Sequence, residues 1–214
     1  MVNPSPRHSA AVRITHWITT LCVFALLLSG VQLVISHPRF YWGDTGNVNT
    51  PALFQLPIPA SRAAVQTGYG FVLPDQNGWS RALHFQSAWL LVFAGFVYLL
   101  HGLRTSHFRK NLLPASSPPP QAYNKLQRLT YLGVVFLLFP LFLWTGLAMS
   151  PAVTSAFPFL DTFWGGRQSA RTIHFFATIC LVAFVAVHLW KVYGAGFRAH
   201  TTAMITGRIP EDRL

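Results

Sequence analysis

His174 and His188 stand fourteen residues apart inside one apolar, helix-length segment, ARTIHFFATICLVAFVAVHLWKVYG. At about 100° and 1.5 Å per residue, fourteen steps return the second imidazole to nearly the same helix face, about 21 Å further along the axis. Neutral imidazole is a common metal ligand, and an ionisable side chain within a membrane span needs compensation for its burial. One helix is thereby equipped to ligate two stacked cofactors, and the spacing points to two haems, one near each membrane face.

The elements that must hold such cofactors follow from composition. Only 10% of the residues are charged and 52% are hydrophobic, whereas a soluble domain carries about a quarter charged residues. Four stretches, about 12–36, 82–103, 126–149 and 170–194, reach the roughly 20 residues of helix that a hydrocarbon core demands. The expectation is an all-α integral membrane protein, a four-helix bundle enclosing two stacked haems, with the chain 1–214 forming a single domain. The first stretch resembles the apolar part of a signal peptide, but its run from Trp17 to Ile35 is long for one and lacks a clear small-residue cleavage site; it is read as a retained helix.

The net charge of +11 is spread by topology instead of being gathered into a nucleic-acid-binding face, so no nucleic-acid partner is expected. Arg7 and Arg13 flank the first span. Arg104, Arg109, Lys110, Lys125 and Arg128 fill the second connection, and Lys191, Arg198, Arg208 and Arg213 follow the last span. The positive-inside bias then places both termini in the cytoplasm of a bacterial inner-membrane protein. The external connection at about 37–80 is rich in turn-formers and aromatics, as in FYWGDTGN, and predicts a folded cap: either a docking surface or a lid over a haem edge. The proline-rich LLPASSPPP reads as a semi-rigid hinge, and no long internal repeat is visible.

Depth then pairs the histidines. His84 and His174 lie near the external ends of their helices, His16 and His188 near the cytoplasmic ends, so each pair can sandwich one iron, while the third helix supplies no histidine and closes the bundle. Arg13, Arg81 and Arg171 each precede a histidine by three residues, and Lys191 follows His188 by three. A basic group at that depth can pair with a haem propionate, or serve as a snorkelling anchor. Gly30 and Gly95 make room for a porphyrin or for close helix packing. His101 is the rival of His16 as a ligand, and is read as an interfacial residue or a quinone contact. The remaining histidines lie outside or at the margins of the spans. Cys22 and Cys180 fall within spans, and no C-x-x-C-H motif is present, so the haem is expected to be non-covalent haem b.

These motifs, RITHW, RALHF and ARTIHF with its second histidine fourteen residues on, resemble the bacterial cytochrome b561 and nickel–iron hydrogenase b-type cytochrome family. FYWGDTGN makes the chain look most like its thiosulfate reductase cytochrome b branch. The resemblance implies a di-haem b protein exchanging electrons between a membrane quinone and a redox partner, with His16, His84, His174 and His188 as axial ligands and a periplasmic molybdopterin oxidoreductase as the partner. It implies an electron-transfer subunit of an oxidoreductase complex. Two other functions fit the same residues: a stand-alone superoxide:quinone oxidoreductase of the cytochrome b561 type, and a non-redox membrane scaffold.

Overall fold

The computed structural model describes residues 9–47, 49–58, 77–106, 108 and 125–207. Four helices among them are long and apolar enough to cross a membrane. The first, α1, spans Ala10–Ser36. Ser9 caps it, accepting from the Val12 amide, and Pro38, which has no amide hydrogen to continue the ladder, follows its end. A short antiparallel ladder, β1 (Arg39–Phe40) with β2 (Phe54–Gln55), comes next and pairs Phe40 with Phe54. The second span, α2, runs Asn77–Arg104.

The third span is composite. It comprises α3 (Lys125–Gly133), a π-helical segment (Val134–Leu138) and α4 (Phe139–Ala148). Pro140 accounts for the local disturbance, since a proline inside a helix removes one donor and crowds the preceding turn. Two short helices, α5 (Pro151–Thr154) and α6 (Phe159–Thr162), lead to the fourth span, α7 (Arg167–Gly194). Gly196, at φ 101°, then turns the chain into α8 (Phe197–Thr206), which the hydropathy reading did not anticipate.

Packing is inverted relative to a water-soluble bundle. On α1 the buried residues Thr15, Cys22, Ser29 and Ser36 recur every seven positions, and on α2 so do Ser80, Ser87 and Ala94. A seven-residue repeat keeps one seam facing its partner, and small residues on that seam let the backbones approach. The large apolar side chains face outward, with Leu21 and Phe24 each 70% exposed, a pattern suited to lipid and not to water. Close backbone approaches join α1 to α2 and α4 to α7. The bundle is thus two helix pairs facing one another, with histidines on the facing sides.

Of the cap expected at 37–80, the described part reaches residue 58, and Asn77–Ser80 already belong to α2. Residues 59–76 and the proline-rich hinge lie outside the described residues. The cap is fastened to the first turns of α7. Gly43 donates its amide to Ser169 Oγ (2.8 Å), the Gln168 amide donates to the Gly43 carbonyl (2.9 Å), and Thr172 Oγ1 donates to the Tyr41 carbonyl (2.7 Å). Gly166 sits at φ 116°, where a Cβ would come within 2.6 Å of the Asp44 amide nitrogen and 2.5 Å of the Gly43 carbonyl carbon. Only glycine fits there.

Candidate functional site

Two histidine pairs form, one at each end of the bundle. His84 on α2 faces His174 on α7, with ring centres 6.3 Å apart and planes at 53°; this is the cap-side pair. His16 on α1 faces His188 on α7 at 6.4 Å and 51°, at the end of the bundle where α1 begins and α7 ends. These are the pairings expected from depth.

The separations test what fits between the rings. With nitrogen about 1.1 Å from each ring centre, as bonds near 1.33 Å dictate, a direct N–H···N hydrogen bond of about 2.9 Å brings the centres to about 5.1 Å. Two metal–imidazole bonds of about 2.0–2.1 Å bring them to about 6.3 Å. Both centre-to-centre separations agree with the second value. No group of three or more His, Cys, Asp or Glu that could hold a metal occurs among the described residues, so each pair suits a metal that brings its own equatorial ligands, as haem iron does.

The cap-side pair is held from both flanks. His84 Nδ1 lies 3.0 Å from Ser29 Oγ on α1, and His174 Nδ1 lies 2.8 Å from Thr145 Oγ1 on α4. The next residues are glycines, and a Cβ on either would approach the imidazole edge: 3.7 Å from His84 Cε1 for Gly30, and 3.9 Å from His174 Cε1 for Gly146. Sequence reading singled out Gly30 but missed Ser29, Thr145 and Gly146. Their signal was a hydroxyl residue followed by glycine within an apolar span. Gly95, also singled out, has no atom of another described element within 4 Å of where a Cβ would stand. Phe142 meets the edge of His174 at 5.0 Å. Phe175 beside it packs on the cap residue Phe40 at 4.4 Å, and Phe40 stacks on Phe54 at 4.7 Å.

The other pair is built differently. His16 Nδ1 is buried without a hydrogen-bond partner among the described residues. Trp17 meets the His16 ring edge-on at 5.4 Å, and Phe184 stacks on His188 at 5.8 Å. The terminal helix α8 closes over the start of α1: Arg13 Nη1 donates to the Ile205 carbonyl (2.6 Å) and Trp17 Nε1 to the Met204 carbonyl (3.1 Å). Between them lies a cleft of about 410 Å³ lined by Ala10, Arg13, Ile14, Trp17, Met204 and Ile205.

The basic residues divide by role. Arg171 donates to the His37 and Arg39 carbonyls, and its guanidinium lies 4.7 Å from the Phe40 ring centre, so it clasps the cap. Arg81 and Lys191 have exposed side chains, with Lys191 Nζ over the Trp190 ring. His101 Nε2 meets Ser9 Oγ at 2.9 Å, at the cap of α1, and belongs to neither ring pair.

The sequence profile of the prokaryotic cytochrome b561 family matches residues 7–207. A protein of Azospira oryzae named "Putative protein-methionine-sulfoxide reductase subunit YedZ1" is 27% identical over 202 residues, covering 86% of this chain and 89% of that protein. No solved structure matches the chain. The chain belongs to the prokaryotic cytochrome b561 family, a multi-pass membrane protein that binds b-type haem and serves electron transfer.

Proposed function

We propose that the chain is the membrane subunit of an oxidoreductase complex, carrying electrons between the quinone pool and a periplasmic redox partner through two stacked, non-covalent haems b. The observation that carries this reading is the pair of imidazole separations, 6.3 and 6.4 Å, at the two ends of one bundle. His84 and His174 would hold the outer haem, His16 and His188 the inner. A haem held by these imidazoles would supply one-electron transfer between the ferric and ferrous states of its iron.

The rest is the work of the chain's own residues. Gly30 and Gly146 leave room at the imidazole edges, and the apolar spans exclude water. Arg81 and Lys191, with exposed side chains, are the free candidates for the haem propionates. Arg13 and Arg171 would meet propionates only with N–H groups not already given to backbone carbonyls. The cleft between α1 and α8 is read as the quinone position, because Trp17 both lines it and touches the His16 ring. Both termini face the cytoplasm of a bacterial inner membrane on the positive-inside distribution, which turns the cap toward the periplasm. There it is read as the docking surface for a soluble subunit, a molybdopterin oxidoreductase; the YedZ1 relative is named as a reductase subunit.

The test is a dithionite-reduced minus air-oxidised spectrum of the purified chain, with extracted haem quantified per polypeptide. Two low-spin b haems per chain are expected. One haem would break the pairing, and none after haem-replete expression would leave a non-redox scaffold.

A further inference from the structure

Ser29 and Thr145 are both fully buried, and their hydroxyl protons are already committed. Ser29 Oγ donates to the Ala25 carbonyl at 2.7 Å, and Thr145 Oγ1 donates to the Leu141 carbonyl at 2.7 Å. A hydroxyl has one proton to give. Toward the histidines these oxygens therefore offer only a lone pair, so the protons of the 3.0 and 2.8 Å contacts belong to His84 Nδ1 and His174 Nδ1. Each imidazole is thereby fixed as the tautomer with a bare Nε2, the form that can bind a metal. Neither His16 nor His188 has such a hydroxyl among the described residues, and His16 Nδ1 is left without a partner.

The device occurs twice because the chain carries the same unit twice. The first span contains Arg13-Ile14-Thr15-His16 and then Ser29-Gly30; the third contains Arg128-Leu129-Thr130-Tyr131 and then Thr145-Gly146. The second and fourth spans open with Arg81-x-x-His84-Phe85 and Arg171-x-x-His174-Phe175. From arginine to hydroxyl is sixteen residues in the first span and seventeen in the third. The π-helical segment Val134–Leu138 lies inside that longer interval, and a π-bulge accommodates one extra residue in a helix. It brings Thr145 to His174 as Ser29 is brought to His84. The two units meet at the cap-side pair. The other pair lies off this symmetry: the counterparts of His16 and His188 are Tyr131 and Tyr98, the latter fourteen residues after His84.

We propose that Ser29 and Thr145 are positioning residues that set the cap-side imidazoles apart from the other pair, by fixing their tautomer and by accepting the Nδ1 hydrogen bond. Accepting that bond raises the ligand's basicity and favours the ferric state of a bound iron. The hydroxyls thus lower the potential of the cap-side haem. This rests on the two-haem reading proposed above.

The experiment is a redox titration, followed optically and by electron paramagnetic resonance, of the full haem-loaded chain in the Ser29→Ala, Thr145→Val and Thr145→Ser forms. Ser29→Ala and Thr145→Val should raise the same one of the two midpoints. At fixed ambient potential the ferric-to-ferrous ratio of that haem should fall about two- to tenfold, tenfold being about 59 mV for a one-electron couple. The other midpoint should stay, and Thr145→Ser should behave as wild type. Two retained haems with both midpoints unmoved in Ser29→Ala and Thr145→Val would overturn the proposal. If Thr145→Val loses a haem, retention in Thr145→Ser supports the hydroxyl's role, while loss in Thr145→Ser overturns it in favour of side-chain packing. A wild-type chain without two haems would overturn the underlying reading instead.

Discussion

The two ends of the bundle each pair two histidine rings and surround them in opposite ways. At the cap side, each imidazole has a buried hydroxyl on Nδ1, a glycine at its edge, and a folded cap resting on the residue after His174. At the terminal side, His16 Nδ1 has no partner among the described residues, and a cleft between α1 and α8 opens beside Trp17. Groups that move electrons without moving themselves gain from a fixed surround, because a preorganised site need not rearrange at each transfer. A diffusing reactant needs access instead. The contrast supports the proposal of a docked partner at the fixed end and quinone at the accessible end.

The largest effects should come from the proposed ligands. His174→Ala should remove the cap-side haem and leave the other, and His188→Ala should do the reverse, halving the haem-to-protein ratio in each case. The spectra of the two variants should sum to that of the wild type. Loss of both haems from either variant would mean that the ends are not independent sites and would break the comparison outright.

Gly166→Ala should act next, and on one end alone. At φ 116°, with the Gly43 and Asp44 backbone already closer than any Cβ tolerates, alanine should cost at least about 2 kcal/mol of cap docking. Limited proteolysis should cut the cap faster, and the Tm of the purified chain should fall. The midpoint of the cap-side haem should shift as Phe40 loosens from Phe175, while the other stays. A shift confined to the terminal-side haem would invert the proposed roles.

Much of this was legible in the sequence because membrane physics writes coarse features plainly. Span length, the rarity of charge and the depth of each histidine needed no tertiary information, and they carried the four long helices and the ring pairs. What stayed hidden depended on contacts across the chain. Arg171, three residues before His174, reads from sequence as a propionate partner; its donors go to His37 and Arg39 carbonyls that no local pattern connects to it. Helix α8 is too short and polar for a span, so hydropathy passed over it. The repeat is hard to see because what its two halves share is a few short motifs at intervals that differ by one residue. Only the π-helical segment shows why that difference does not spoil the match.

The smallest effect expected is the one that sharpens the comparison most. Trp17 joins three things at the terminal end: the edge of the His16 ring, the wall of the cleft, and the Met204 carbonyl of α8. Trp17→Leu keeps apolar volume while removing the indole N–H and the aromatic face. It replaces none of the four histidines and touches neither the cap-side pair nor the cap, so haem content and the cap-side midpoint should equal those of wild type. Reduction of the haems by a water-soluble quinol should slow about three- to tenfold, the scale of losing one hydrogen bond and one ring contact, about 1 kcal/mol together. Reduction by dithionite, which needs no quinone position, should keep its rate. A variant equally slow with both reductants would locate the defect in the haem surround, and the cleft would lose its claim to the quinone. Unchanged kinetics with both would send the search to the opposite end of the bundle and undo the division of labour drawn from the two surrounds.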